Sequence, residues 1–387
     1  MKYIEQDLPK AGDTVVVGLS GGVDSTLTAL LLKNIGCHVI GVTMSLWDGK
    51  LDVDVNKTLH DSCYGPGEAQ DIEQCRKFCE EQGFEYHVID VKEAYHKEVL
   101  EYFKAEYRAG RTPNPCIRCN RYIKFGALQL GIKQLDIDYD YFCTGHYAKI
   151  VRPVEGLYGT DVRPFMISSA MDQSKDQTYF VYRVPSDVLE KVRFPLANME
   201  KKEVFRLAKE YGLAAAEREE SQDFIPEEYF DALFADKPAV PGDIVDLDGK
   251  VLGKHRGIEH YTIGQRRGLG VSSSKPLYVH SIDPKNNLVV LASNDDLNAD
   301  GLIADEFVWP GNIEPKESVE AFVKIRLASK PVPAVISRYE PKNGESFKGQ
   351  PWKIAFQTPQ RAVAPGQSVV MYKDNVIIGG GIISKTL

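Results

Sequence analysis

Along the first 210 residues, short runs of β-branched and apolar positions alternate with stretches whose apolar residues recur every three or four places. "TVVVGLS" (14–20) predicts a buried strand and "DSTLTALLLKNIG" (24–36) a helix ending at Gly36. "HVIGVTM" (38–44) predicts a second strand, "GEAQDIEQCRKFCEEQG" a second helix, and "FEYHVIDV" (84–91) a third strand. A helix near 92–107, a polar loop, a helix over about 119–132, a strand "YFCTG" (141–145) and a helix over 201–220 complete this half. Strands alternating with helices predict an α/β fold, with a parallel sheet, right-handed crossovers and helices on both faces. From about 222 the helical period fades, and short strand-like runs are separated by turns such as "PGD" (241–243), "LDGK" (247–250) and "DPKNN" (283–287). The polar, turn-rich "NDDLNADG" (294–301) divides this β-rich half. The expected domains are therefore 1–221, a small β-rich middle domain over 222–298 and a C-terminal β-barrel over 299–387.

A length of 387 residues, 43% hydrophobic and 26% charged, fits two or three soluble domains with real cores. The start, "MKYIEQDLPKAGD", lacks a secretory signal, and no run approaches the ~18 apolar residues of a membrane span. The expectation is a cytoplasmic protein with no membrane partner. A net charge of -8 does not favour a nucleic-acid partner, but phosphate contacts need only a local basic surface. All seven cysteines fall within the first 143 residues, a distribution that suits reduced thiols, metal ligands or catalysis better than a disulfide framework.

Two motifs carry chemistry. The first is "GLSGGVDS" (18–25): Gly18, Leu19, Ser20, Gly21, Gly22, Val23, Asp24 and Ser25 lead from the first strand into the first helix. Two glycines let the backbone approach an anion, and the following helix points its N-terminal N–H groups at it. Asp24 stands where a Walker loop has its lysine, which suits a loop that takes pyrophosphate as the leaving group of ATP, with Asp24 helping to hold Mg²⁺. The second is "TPNPCIRCNRYIKFG" (112–126), with Cys116 and Cys119 two residues apart. From Tyr107 to Lys124 there are five basic residues, Arg108, Arg111, Arg118, Arg121 and Lys124, and no acid. Nearby cations, and a helix opening at Cys119, predict a depressed thiol pKa. The same basic residues suit the phosphates of a nucleic acid.

"SGGVDS" is similar to the loop of the PP-loop ATP-pyrophosphatases, and "RTPNPCIRCNRYIKFG" resembles the segment of the bacterial tRNA-specific 2-thiouridylases (the MnmA/TrmU family) that meets the target uridine. "TGHYA" (144–148), "DQSKDQTYF" (172–180), "ESQDFIP" (220–226), "GKHRGIEHYTIGQRRGLG" (253–270) and "PQRAVAPGQSVV" (359–370) resemble that family in its order. The resemblance implies a PP-loop domain followed by the two β domains, and ATP-dependent 2-thiolation of a wobble uridine in tRNA. The C2 oxygen is adenylated and then displaced by sulfur. It makes Cys119 the nucleophile, Asn114, Pro115 and Cys116 the target-base segment, and Met44 and Gly145 adenylate contacts. His146, Lys175, Asp176, Gln177, Arg326 and Gln360 fall at tRNA contacts.

Two departures alter that picture. The family has Asp where this chain has Cys116, and a second catalytic cysteine after "SQD", where this chain has Phe224 and no cysteine beyond 143. The expectation is that Cys63, Cys116 and Cys119 ligate a [4Fe–4S] cluster with one iron open to a sulfide donor. Zinc, or a persulfide on Cys119 with Cys116 or Cys63 as resolving thiol, are the alternatives. The sulfur donor is a carrier protein or inorganic sulfide. Cys75, Cys79, Cys37 and Cys143 read as core residues. Two other functions remain: a PP-loop ligase adenylating a small carboxylate or nucleobase, and a non-catalytic RNA-binding protein. The β half shows no glycine-rich site for a methyl donor.

Overall fold

The computed structural model describes residues 1–51, 63–217, 224–225 and 229–387. These form two compact units. One comprises Met1–Val99, Cys116–Phe230 and Asp374–Ile377, and the other Leu100–Pro115, Asp231–Lys373 and Ile378–Leu387.

The first unit is built on five parallel strands in the order Glu85–Asp90, His38–Ser45, Thr14–Gly18, Tyr141–Cys143, Val192–Arg193. Val15, Val16 and Val17 of the central strand are fully buried, as a strand covered on both faces requires. On one side, Val15, Val17, Leu19 and Val39 pack with Cys37, Cys75, Cys79 and Cys143, so all four cysteines expected in the core are there. The helix Glu68–Gln82 supplies Cys75 and Cys79 and ends on left-handed Gly83, the conformation that glycine adopts without penalty. Elsewhere, Val23, Leu27 and Leu30 of the helix Val23–Asn34 pack with Val204 and Ala208 of the helix Lys201–Glu210. That contact brings together segments nearly 180 residues apart in the chain. Three antiparallel strands, Tyr3–Glu5, Ala148–Pro153 and Met166–Ser169, also belong to this unit and were not anticipated from the alternating pattern.

In this order, 3-2-1-4-5 by strand number within the sheet, the direction of winding reverses beside Thr14–Gly18. A crevice opens there between its C-terminal end and that of Tyr141–Cys143, the place where open α/β sheets bind ligands.

The second unit holds a four-stranded sheet, in the order Val251–His255, Gly242–Val245, Leu288–Ala292, Tyr278–Asp283, around Ile244, Val279, Val289 and Leu291. It also holds a six-stranded barrel. Asn298–Val308, Trp352–Arg361, Val332–Arg338, Val319–Lys324 and Ser368–Lys373 follow one another, and the last strand, Val376–Thr386, pairs with both the first and the fifth. Closure leaves no free edge. Trp352 fills the interior, edge-on to Trp309 with ring centroids 4.8 Å apart.

Candidate functional site

The loop after the first strand is tied from both sides. The Leu19 N–H donates to the Val42 carbonyl at 2.8 Å, and the Ser20 N–H reaches Ser25 Oγ at 3.2 Å. Ser25 Oγ donates back to the Gly22 carbonyl at 3.0 Å, while the Ser20 and Ser25 hydroxyls lie 3.3 Å apart. Gly21 has φ +76°, a conformation that glycine takes freely. Gly22 caps the helix without a side-chain bond, so the loop offers backbone donors rather than a filled cap.

The loop forms one wall of a cleft of about 170 Å³. Gly18, Leu19, Ser20, Asp24, Ser25, Met44, Gly145, His146 and Gln177 of the expected residues line it, together with Val42, Lys124, Leu128 and Thr144, which sequence reading had not assigned to a nucleotide pocket. Gly145 passes so close to the loop helix that a Cβ there would sit 2.7 Å from the Asp24 carbonyl carbon. His146 and Gln177, expected against RNA, line this cleft. His146 is buried, its Nδ1 lies 2.7 Å from Thr144 Oγ1, and its ring rests between Phe125 and Phe194. Burial, and then the charge of Lys124, hold its imidazole well below the ordinary histidine range, so it is neutral. The Gln177 Oε1 accepts from the Tyr147 N–H at 2.9 Å, which fixes the amide.

Asp24 is not a free carboxylate. Lys201 Nζ donates to both of its oxygens, at 2.7 and 2.8 Å, and the Tyr147 hydroxyl donates to Oδ1 at 2.9 Å. Sequence reading missed Lys201, because a pair formed across two packed helices leaves no local trace. Asp176 is likewise engaged: it accepts from the Ala170 N–H at 3.0 Å and the Thr178 N–H at 3.2 Å, and from the Thr178 hydroxyl.

The cysteine segment corrects two expectations. The helix does not open at Cys119. It begins at Pro115, where a missing N–H costs nothing, runs to Arg118, continues as a π-wound stretch over Cys119–Ala127 and ends as Leu128–Gln134. Cys116 therefore occupies the first turn and Cys119 the next. Nor are the thiols activated. Burial, and then the neighbouring thiols, push Cys116 up to about 12, while burial outweighs Lys124 and pushes Cys119 up to about 11.

The cationic run is also largely neutralised by acids from elsewhere in the chain. Arg118 pairs with Glu98 at 3.0 Å, Arg108 with Asp236 at 3.0 Å, and Arg111 Nε with Glu106 Oε2 at 2.7 Å. Among the described residues no carboxylate pairs with Arg121, which lies over the Tyr122 ring, or with Lys124.

Cys63 is brought to the same place by its neighbour. Tyr64 is buried, edge-on to Trp47 at 4.9 Å and stacked on Tyr95 at 5.3 Å. After burial, the Tyr95 phenol is pushed up by the thiols of Cys119, Cys63 and Cys116. The three thiols thus lie within electrostatic reach of one tyrosine, and Cys63 and Cys119 act on the ionisation of Cys116. Even so, no group of three ligands is gathered closely enough to hold a metal among the described residues. The segment 221–223, where the family's second cysteine would follow, lies outside the described residues.

Asn114 and Pro115 immediately precede Cys116 in the chain, and Lys175 is half-buried in the turn before Asp176. In the barrel, Arg326 is exposed in the turn beyond Val319–Lys324 rather than inside the strand. Its guanidinium reaches the Arg361 carbonyl at 3.5 Å, next to Gln360. No helix among the described residues is long and apolar enough to cross a membrane.

Family models match the chain in three consecutive pieces: a tRNA methyl transferase HUP domain over 13–226, a tRNA methyl transferase PRC-barrel domain over 231–293 and an aminomethyltransferase β-barrel domain over 299–383. A protein of Endomicrobium trichonymphae named tRNA-specific 2-thiouridylase MnmA is 43% identical over 371 residues, covering 95% of this chain and 98% of the relative. Proteins of the same name from Carboxydothermus hydrogenoformans and Acetivibrio thermocellus are each 39% identical. They cover 96% and 95% of this chain, and 98% of each relative. With loop, fold and full-length relatives in agreement, the chain belongs to the tRNA-specific 2-thiouridylase family.

Proposed function

We propose that this chain is an ATP-dependent tRNA-uridine 2-sulfurtransferase that acts in the cytoplasm on the wobble uridine. The observation that carries the reading is Lys124. It lines the cleft with the phosphate loop, and its charge also acts on the thiols of Cys63, Cys116 and Cys119. Lys124 thus belongs to the nucleotide cleft and lies within electrostatic reach of the thiols, which supports placing nucleotide and sulfur chemistry side by side.

The chemistry follows from that adjacency. The uridine C2 oxygen attacks the α-phosphorus of ATP and pyrophosphate leaves toward Ser20, Gly21, Gly22 and the N–H groups of the helix at Val23. A sulfur nucleophile adds at C2, the C2–O bond breaks, and AMP departs. With sulfide as donor no electrons are exchanged. With a persulfide, the C2-bound disulfide has to be cleaved by a second thiol, which Cys116 or Cys63 would supply to Cys119. Met44 and Gly145 bound the adenylate, and neutral His146 and Gln177 offer fixed polar edges in the cleft. Asn114 and Pro115 lead the target base to the thiols. Lys175, Asp176, Arg326 and Gln360 are assigned to tRNA, with Asp176 shaping its turn rather than touching phosphate. The extents 1–221, 222–298 and 299–387 are assigned to catalysis, middle domain and barrel.

Two inorganic groups meet this structure differently. The donor chemistry of Cys63, Cys116 and Cys119 suits a [4Fe–4S] cluster, which would supply an iron-held sulfide. The thiols are neighbours without being gathered as a ligand set, so no step is routed through the cluster. Asp24 would help hold magnesium only by sharing carboxylate oxygens that already accept from Lys201. The testing experiment is tRNA nucleoside analysis in a strain lacking the gene. Wild type restores 2-thiouridine, and Cys119→Ala and Cys116→Ala do not. Equal rescue by all three removes these thiols from the reaction. Anaerobic purification without iron or labile sulfide rejects the cluster and leaves the persulfide route.

A further inference from the structure

The phosphate loop has an electrostatic problem. It receives a polyanion with no basic residue of its own between Gly18 and Ser25, and it carries a carboxylate, Asp24, in the first turn of its helix. Asp24 lines the cleft, and Lys124 is the sole cationic side chain on the described lining. An uncompensated Asp24 would repel the β- and γ-phosphates that the loop's N–H groups attract.

Lys201 resolves this from a distance of 177 residues along the chain. Its side chain is 8% exposed against 27% for Asp24, and it meets both carboxylate oxygens at 2.7 and 2.8 Å. The lysine is held on every side. Its backbone N–H donates to Asp172 Oδ2 at 3.0 Å, its ammonium lies 4.8 Å from the Phe205 ring centroid and 5.6 Å from that of Tyr147, and Tyr147 donates its hydroxyl to the same carboxylate. The packing of Val204 and Ala208 on Leu27 and Leu30 fixes the two helices, so the pair does not depend on a mobile surface side chain. A buried ammonium needs a fixed partner, and a buried carboxylate beside a phosphate site needs neutralising; each answers the other.

We propose that Lys201 is a positioning residue that neutralises Asp24, and that this neutralisation lets the loop bind the polyphosphate end of ATP. The inference rests on the ATP reading above. It predicts a selective effect. Losing Lys201 exposes a negative charge to the β- and γ-phosphates, but leaves the side of the cleft at Met44 unchanged.

The test is calorimetric titration of the full-length protein with ATP, inorganic pyrophosphate and AMP in EDTA. Wild type, Lys201→Met, Lys201→Arg and the double variant Asp24→Asn/Lys201→Met are compared. Lys201→Met is expected to lose about tenfold or more in affinity for ATP and pyrophosphate, with AMP within about twofold, as one uncompensated charge near a polyanion implies. Lys201→Arg stays close to wild type. The double variant leaves no stranded charge, so it folds even where the single one does not, and it recovers most of the loss. An equal loss for AMP, an unchanged Lys201→Met, or no recovery in the double variant overturns the proposal. Wild-type protein that binds neither ATP nor pyrophosphate overturns the functional reading instead.

Discussion

The thiols offer the sharpest check on how this site works. Burial pushes Cys119 up to about 11 and Cys116 up to about 12, from an unperturbed value of 9.0. The nucleophile in alkylation is the thiolate. At pH 8, Cys119 would be about 0.1% ionised where an ordinary thiol is about 10%, so the metal-free, donor-free protein should label roughly 100-fold more slowly than a small thiol. Rates are read by peptide mass spectrometry after iodoacetamide pulses, anaerobically and with a chelator present. Cys119 labelling should rise about tenfold per pH unit from 7 to 10 without a plateau. Lys124→Met removes the one cation that lowers its pKa and should slow it further. The linkage has a definite sign. The fold favours the protonated thiol, so the stability this contributes is intact below about pH 9 and declines as pH climbs toward 11. A Cys119 rate that levels off by pH 8 would mean that the thiol is activated after all, as the sequence suggested.

Other expectations follow from single contacts. Gly145→Ala places a methyl 2.7–3.0 Å from the carbonyl carbon, Cβ and carbonyl oxygen of Asp24, so it should lower stability by about 1–3 kcal/mol and weaken ATP binding, measured by melting and titration. Cys79→Ala empties a fully buried position and should cost about 1–2 kcal/mol in chemical denaturation while leaving tRNA thiolation intact, in contrast to Cys119→Ala. His146 is neutral and fixed by Thr144, so its imidazole NMR signals should not titrate between pH 5.5 and 8, a range in which an ordinary histidine does.

The parts of this fold written locally were legible. Val15–Val17, the helix after Gly22 and the strand His38–Ser45 follow from runs and periods within ten or so residues, and the crevice follows from strand order once the sheet is known. Contacts between distant segments were not. The acids Glu98, Glu106 and Asp236, which neutralise the arginines, lie outside the run that looked purely cationic, and Lys201 reaches Asp24 only through helix packing. The thiol ionisation was misjudged for the same reason. Charge near Cys119 was visible in the sequence, whereas the burial that outweighs it was not. The helix starts earlier than the sequence suggested, at Pro115, which sits comfortably in a first turn.

In the proposed mechanism, one cleft adenylates a tRNA uridine, which then takes sulfur held by neighbouring thiols. Its most direct test combines purified protein, unmodified tRNA transcript, ATP, magnesium and a sulfide donor, followed by nucleoside mass spectrometry. The expected result is 2-thiouridine at the wobble position in step with AMP and pyrophosphate release, and no product from Cys119→Ala. ATP cleavage without a sulfurated nucleoside, or product formed equally by Cys119→Ala, would contradict it.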